Sequence, residues 1–396
     1  VKYDAVIVGA SVAGLSTAAH LAKAGWRVMI VDRRHAIGVP VRCGEATGNR
    51  AELSRFTAVD ETWIACDIGG FVAHVNDSPG LVFPVPDGGV MLHRDLFERS
   101  LAHDARARGA EILLDTPVTG LFRENGRWAG VALENGGRIE ASYIVGADGA
   151  ESYIGRAAGI TAPLHLNEVA CTVQYRLKSD FCNDGFLHFF VGKNLLPYGY
   201  IWVFPKGSGM VTVGGGRYRN SPGWSSDQPS VQYSVDRFVK ERCGMEPPRE
   251  TLVTGAIPVT PSPRRLTKGN VVLVGDAARQ ANPLTAGGIM NALEAAESAA
   301  RSLIASRTAG TTLVSGAYSA EWRRNQRRQH KLFMLLREIV FSLPEQKLLP
   351  LLRTAFSLAN HTIDRSKPFK LPFFPSARFL FHVAPLTIRH IWVLFK

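Results

Sequence analysis

The chain has 396 residues, 46% of them hydrophobic and 20% charged, a length and balance ordinary for one large or two interleaved globular domains. Its net charge of +12 lies entirely in the last quarter, where residues 301–396 carry 16 Lys and Arg against 4 Asp and Glu; the first 300 residues hold 30 of each sign. Cys43, Cys66, Cys171, Cys182 and Cys243 form no CxxC pair, which argues against a disulfide framework or a zinc site and for a reducing compartment.

The N-terminal stretch YDAVIVGASVAGLSTAAHLAKAGWRVMIVDRR predicts strand, tight turn, helix and strand. Ala5–Val8 is a continuous apolar run, as a strand buried on both faces should be. Leu15–Lys23 has helix-forming composition, Gly25 suits the helix stop, and Arg27–Val31 is the second strand. Asp32 then falls where an acidic side chain accepts hydrogen bonds from a ribose, and the helix N-terminus would face a pyrophosphate. Asp4 inside the apolar run and this glycine pattern argue against a secretory signal. The turn reads Gly9, Ser11, Gly14 where a full fingerprint has three glycines. Two readings of Ser11 stand: a small residue tolerated beside the nucleotide, or a fold that has lost it.

Further along, Ala170–Leu177, Phe186–Val191 and Tyr200–Phe204 are expected to build one sheet. In PYGYIWVFP, Tyr200, Trp202 and Phe204 lie two apart and so share one strand face. Such a ledge of rings is either core between sheet and helices or the lining of an apolar channel. Val271–Val274 is another buried strand, followed at once by Gly275–Asp276; Pro283 and Gly287–Gly288 then lead into a helix from about Ile289. An acid at a strand end plus a second glycine-rich helix start suits one long cofactor held at both ends. The histidines show no metal-ligand or triad spacing along the chain, so no metal is expected. No stretch offers about 18 uninterrupted apolar residues, so no transmembrane helix is expected either.

These elements resemble the flavoproteins of the aromatic-hydroxylase fold. Gly275–Asp276 resembles their ribitol-holding GD element, YIVGADGAES (143–152) their DG element with Asp148 and Gly149, and LHRDLFERSL (92–101) their arginine-bearing helix with Arg94. Within that fold, GVPVRCGEATG (38–48) and the YxWxFP run followed by Gly214 and Gly216 resemble the geranylgeranyl reductases, over roughly residues 3–340. Ser11 and Ala286 depart from glycine in cofactor loops. The resemblance implies an α/β Rossmann-type FAD domain interleaved with an antiparallel-sheet substrate domain, plus a helical basic C-terminal region. It places FAD against Gly9, Ser11, Ala13, Gly14, Asp32, Arg33, Arg42, Cys43, Gly44, Ala46, Arg94, Val118, Asp148, Gly149, Gly275, Asp276, Gly287, Gly288 and Ile289. It assigns Tyr200, Trp202 and Phe204 to the prenyl channel.

The activity so implied is saturation of C=C bonds in a geranylgeranyl or polyprenyl lipid by hydride from reduced flavin. The electron donor is left open between NAD(P)H and a ferredoxin. Cys43 is the one nominee for proton donor, because a thiol is protonated near neutrality; the alternative is that it only packs against the ring. Arg42 either stabilises anionic flavin or is a surface charge. The same fold also supports aromatic hydroxylation and halogenation, and a flavin-free prenyl-lipid carrier is the third reading.

The domain boundaries expected are 1–55, 88–160 and 268–310 for FAD, 56–87 and 161–267 for substrate, and 311–396 for the helical basic region. EWRRNQRRQHKLFMLLREIV (321–340) groups Arg323, Arg324, Arg327, Arg328 and Lys331, and 367–396 mixes Phe, Leu and Trp with Lys and Arg. Such a tail suits an anionic membrane surface, placing the protein in the cytoplasm at the inner face of the membrane, or else it caps the core. No nucleic-acid motif accompanies it.

Overall fold

The computed structural model describes residues 2–218 and 228–362, so the aromatic and basic stretch 367–396 lies outside the described residues. The chain forms two compact units. The first takes the residues up to Ala65, then Val90–Ala170 and Gly255–His330; the second takes Cys66–Gly89, Cys171–Thr254 and the chain from Lys331 on. The boundary at His330 falls inside the helical region expected from 311 onward.

In the first unit, Tyr3–Val8 runs parallel to Val28–Val31 on one side and to Arg138–Gly146 on the other. Val271–Leu273 extends the sheet beyond Arg138–Gly146, and Glu111–Leu113 extends it beyond Val28–Val31, both parallel. Ala5, Val6, Ile7, Ile30 and Val31 are fully buried, as strands covered on both faces must be. The first helix runs Val12–Lys23, three residues longer at its start than its composition indicates, and Gly25 ends it at φ +75°, a conformation open to a residue without Cβ. Beside it lie the helices Arg94–Ala107 and Ile289–Thr308.

Most of the second unit's strands belong to one seven-stranded sheet in the order Val253–Pro258, Val169–Lys178, Met210–Tyr218, Gly199–Pro205, Leu187–Val191, Gly70–Val75, Leu81–Pro84. Among the described residues it is antiparallel at most of its pairs, as expected of the substrate domain, and carries one parallel pair, Leu187–Val191 with Gly70–Val75. The physical reason is connectivity. More than a hundred residues separate these strands, enough for the long crossover that a parallel pair requires. The helix Val231–Cys243 covers one face of the sheet, where Val235, Phe238 and Val239 pack with Phe190, Ile201, Val203, Val211 and Val213. Two further helices, Ala317–Ser342 and Glu345–Thr362, follow. Among the described residues no helix is long and apolar enough to cross a membrane.

Candidate functional site

The turn after Tyr3–Val8 is held by close backbone approach. A Cβ at Gly9 (φ +109°) would lie 2.2 Å from the Ala147 carbonyl oxygen, and one at Gly14 would lie 1.9 Å from the Gly9 carbonyl. Glycine at both positions therefore lets the first helix start against the ends of two strands. Ala13 stands beside Gly275 (φ +66°), where a Cβ would meet the Ala13 methyl at 2.9 Å. Three separate chain segments thus meet at one helix N-terminus.

Ser11 is the N-cap residue of that helix, yet its hydroxyl does not cap it. The hydroxyl donates instead to Glu98 Oε1 and accepts from Arg94 Nη2 at 3.0 Å, while Arg94 pairs with Glu98 at 2.6 Å. Burial works against the Arg94 charge, but Glu98 and Cys43 outweigh it and raise its pKa above the ordinary value. Cys43 Sγ accepts the Glu45 backbone N–H at 3.2 Å, and the buried Glu45 carboxylate accepts the Arg94 backbone N–H at 3.0 Å. Antiparallel pairing of Ala46 with Met91 holds this loop beside the Arg94 helix. Glu45 and Glu98 are central to the arrangement; Glu98 follows Arg94 by four residues on one helix, a pairing the spacing allows, whereas nothing in the sequence marks Glu45.

Asp32 accepts the Ala10 N–H at 2.6 Å and is gripped by Arg34 through the backbone N–H, Nε and Nη2. Burial pushes its carboxyl up, and the Arg34 bonds more than offset that, leaving its pKa below the usual carboxylate range. Arg34 also reaches the Ala10 carbonyl and Glu98, so it, and not the neighbouring Arg33, belongs to this cluster. Arg33 is exposed and lies 3.8 Å from Glu151, and Arg42 is exposed as well. Gly44 is half-buried between Cys43 and Glu45, and Val118 opens the hairpin strand Val118–Glu124.

Two carboxylates at strand ends complete the first unit's site. Asp148 Oδ2 accepts the Ile154 N–H at 2.8 Å, whereas its buried Oδ1 has no hydrogen-bond partner among the described residues. Gly149 follows at φ +78°. Burial raises the pKa of both Asp148 and Asp276, and for Asp276 the pull of Arg94 offsets this only in part. A Cβ at Gly288 would sit 3.7 Å from Asp276 Oδ1, so Gly287, Gly288 and the helix opening at Ile289 adjoin that carboxylate. Ala286, just before, holds φ +57°, the left-handed region that explains why glycine suits this point. The buried Asp148 oxygen without a donor and the half-buried Asp276 carboxylate, beside two glycine-lined helix starts, are fitted to accept hydroxyls and to face phosphates.

The second unit carries the ring-bearing sheet face. Tyr200, Trp202 and Phe204 are 6–8% exposed. Because opposite residues of an antiparallel pair share a face, the register Phe189↔Trp202 puts Phe189 with them, 5.5 Å from Tyr200 and 5.3 Å from Phe204. Phe71 and Phe83, stacked at 4.6 Å, continue the row. On the other side Gly214 and Gly216 stand opposite Trp202 and Tyr200. A Cβ at Gly214 would lie 2.3 Å from Trp202 Cζ2, so the indole occupies the room that glycine leaves. Gly215 faces the helix side, where its Cβ would meet Val235 at 2.8 Å. The ledge is therefore not the surface packed by the helix Val231–Cys243. It also buries Trp202 Nε1 and Thr212 Oγ1 without partners among the described residues.

A parallel sheet whose first strand feeds a glycine turn and a helix start, with acids at the ends of later strands, defines a dinucleotide-binding protein, and residues 2–330 match the FAD-binding domain family. The chain is 34% identical over 356 residues to the digeranylgeranylglycerophospholipid reductase of Methanothrix thermoacetophila, covering 88% of this chain and 90% of that one. It is 35% identical over 332 residues to the protein of the same name from Methanosarcina mazei, covering 81% of each. Among solved structures, a geranylgeranyl bacteriochlorophyll reductase-like protein of Thermoplasma acidophilum superposes with a TM-score of 0.81 at 27% identity, covering 98% of both chains. A flavin-dependent brominase superposes at 0.73 with 16% identity, a likeness of fold alone. The chain belongs to the geranylgeranyl reductase family of FAD-binding proteins.

Proposed function

We propose that this chain is an FAD-dependent oxidoreductase that saturates C=C bonds of a geranylgeranyl or related polyprenyl lipid. The observation that carries the reading is the extent of the match. Relatives named as reductases of a digeranylgeranyl lipid align over 81–88% of the chain, through both units and not the FAD-binding part alone. The hydroxylase and halogenase readings rest on fold likeness at 15–19% identity. The unpartnered Asp148 oxygen and the half-buried Asp276 speak for a bound polyol cofactor and against the flavin-free carrier.

In this reading Gly9, Ser11, Ala13 and Gly14 receive the pyrophosphate at the first helix start, Asp32 fixed by Arg34 takes the ribose, and Asp276 with Gly287–Ile289 takes the ribitol. When bound, reduced FAD supplies the hydride. Cys43 Sγ holds the proton for the second carbon, and the Glu45 N–H and Arg94 steady the negative charge left on sulfur once the proton has gone. Tyr200, Trp202 and Phe204 hold the prenyl chain, whose burial contributes about 25 cal/mol per Å². An isolated alkene has no carbonyl to take up charge, so positioning and exclusion of water by these rings carry much of the barrier. Re-reduction comes from NAD(P)H or a ferredoxin. The exposed Arg323 and Arg324 on the helix Ala317–Ser342 support peripheral docking at the inner face of an anionic membrane.

The test is the mass of a geranylgeranyl lipid after anaerobic incubation with the dithionite-reduced protein. A gain of two hydrogens per reduced double bond is expected. An unchanged mass from a yellow, reducible protein would overturn the reading. For docking, Arg323→Glu combined with Arg324→Glu should weaken flotation with anionic vesicles; undiminished flotation would exclude this helix as the docking surface.

A further inference from the structure

The histidines, which form no cluster along the chain, form one in space. His74 and His188 are 114 residues apart, and their rings meet with Nε2 of His74 3.0 Å from Nδ1 of His188. Cys182 completes a group whose three donor atoms lie within 4.8 Å of one another. All three residues belong to the second unit. The parallel register His74↔Phe190 puts His74 on the side of Phe190, and the register His188↔Val203 puts His188 there too. That is the helix-covered face, opposite Tyr200, Trp202 and Phe204.

We infer that His74, Cys182 and His188 form a binding site for one zinc-class divalent ion, separate from the aromatic ledge and independent of the flavin chemistry. Two imidazoles and a thiolate are the borderline-soft donor set that such ions prefer, with Zn–N near 2.0–2.1 Å and Zn–S near 2.3 Å. Those lengths set tetrahedral edges of about 3.3–3.6 Å, so the two nitrogens, 3.0 Å apart, need part by only a few tenths of an ångström, and the sulfur, within 4.8 Å of them, needs to close by up to about 1.2 Å.

Three features beyond proximity support an ion. Asp184 Oδ1 lies 2.9 Å from His188 Nε2, the carboxylate–histidine pairing that orients metal-bound imidazoles. It leaves Nδ1 as the free lone pair. His74 is stacked on Phe190 at 4.2 Å and 5°, so the plane of its ring is fixed as well. Cys182 holds φ +54°, a left-handed conformation that a non-glycine residue rarely adopts, and its thiol lies beside the two histidines. Burial pushes that thiol up to about 12, so without an ion it is inert as a nucleophile.

The proton balance is simple. Without the ion, His188 Nε2–H donates to Asp184 and His74 Nε2–H donates to His188 Nδ1. On binding, the His74 proton moves from Nε2 to Nδ1, and the Cys182 thiol releases its proton to solvent. One proton leaves per ion bound. The ion then clips the strand Gly70–Val75 to Leu187–Val191 and to the loop before it.

The experiment uses the purified, full-length flavoprotein, stripped with chelator, loaded with Zn(II) and dialysed. Metal analysis should find one zinc per chain, and X-ray absorption at the zinc edge should show one sulfur and two imidazole nitrogens. Zinc should raise the Tm, and Cys182→Ser should abolish both retention and the shift. Cys243→Ser, a thiol neighbouring Cys182 in the same cluster of apolar residues, should retain zinc as the unaltered chain does. His188→Ala offers a second loss-of-ligand variant, and His188→Cys restores a donor. Substoichiometric zinc in the unaltered protein, zinc retained fully by Cys182→Ser, or an absorption spectrum without sulfur would each overturn the assignment.

Discussion

Gly214→Ala separates the two faces of the second-unit sheet. The new Cβ would lie 2.3 Å from Trp202 Cζ2 and 2.5 Å from Cε2, against an ordinary carbon contact of about 3.5 Å. The indole must therefore shift by about 1 Å, or the strands must part; overpacking of this kind costs about 1–3 kcal/mol. Every residue assigned to FAD lies in the first unit, so flavin content should be unchanged. Turnover of a geranylgeranyl lipid should fall roughly 10–100-fold, the scale of a 1 Å misplacement of a substrate-positioning group. Gly215→Ala is the matched control. Its Cβ would crowd Val235 and Leu196 at 2.8 and 3.1 Å, on the helix-covered face. It should lower the Tm comparably while leaving turnover within about twofold. The assays are flavin absorbance per chain, thermal unfolding and mass-spectrometric counting of hydrogens added. Full turnover in Gly214→Ala despite a lowered Tm, or equal loss in both variants, would refute the assignment of the ledge to substrate.

Cys43→Ser should keep the flavin and lose most turnover; unchanged turnover would remove Cys43 as proton donor. Ala286→Gly relieves a left-handed alanine and should stabilise the protein by about 0.5–1 kcal/mol, read by denaturant unfolding. A lower midpoint would show that the loop has other demands. The Asp276 carboxyl is raised by burial, so in flavin-free protein its contribution to stability is lost as pH rises from the ordinary carboxylate value through its elevated one. Asp276→Asn should remove that loss, flattening the decline of Tm from about pH 4 upward, and should weaken FAD binding by about 10–150-fold, the worth of a hydrogen bond to a charged group. An unaltered pH profile would mean that Asp276 burial costs nothing.

What the sequence made legible was local. The turn from Gly9 to Gly14, the strand end at Asp32 and the helix starting at Ile289 each announce themselves through adjacent residues. The aromatic alternation from Tyr200 to Phe204 likewise fixes a shared face. Arg34 was legible only as the second of two arginines, because its choice over Arg33 depends on reaching Glu98 and the Ala10 carbonyl. Glu45 was silent, since its partner Arg94 lies 49 residues away, and Glu98, although one helical turn from Arg94, shows its role only through Ser11, 87 residues away. The parallel pairing of Gly70–Val75 with Leu187–Val191 was hidden for the same reason, and the His74–His188 contact with it. Ala286 shows the converse: a departure from glycine visible in the sequence, whose physical meaning needed its φ angle.

The order of strands in the first unit also constrains how this protein can be made. Its central strand, Tyr3–Val8, is synthesised before every strand it pairs with; its neighbour Arg138–Gly146 follows some 130 residues later, and Val271–Leu273 well over a hundred after that. No N-terminal fragment short of about residue 310 contains the flavin site's last helix, Ile289–Thr308. During translation the nascent first strand, apolar on both faces, must therefore stay unpaired on one or both edges for many seconds, at a synthesis rate of roughly 5–20 residues per second. A chain threaded in this way depends on being shielded while it grows, and its yield on expression should respond to chaperone supply more than to any single stabilising substitution.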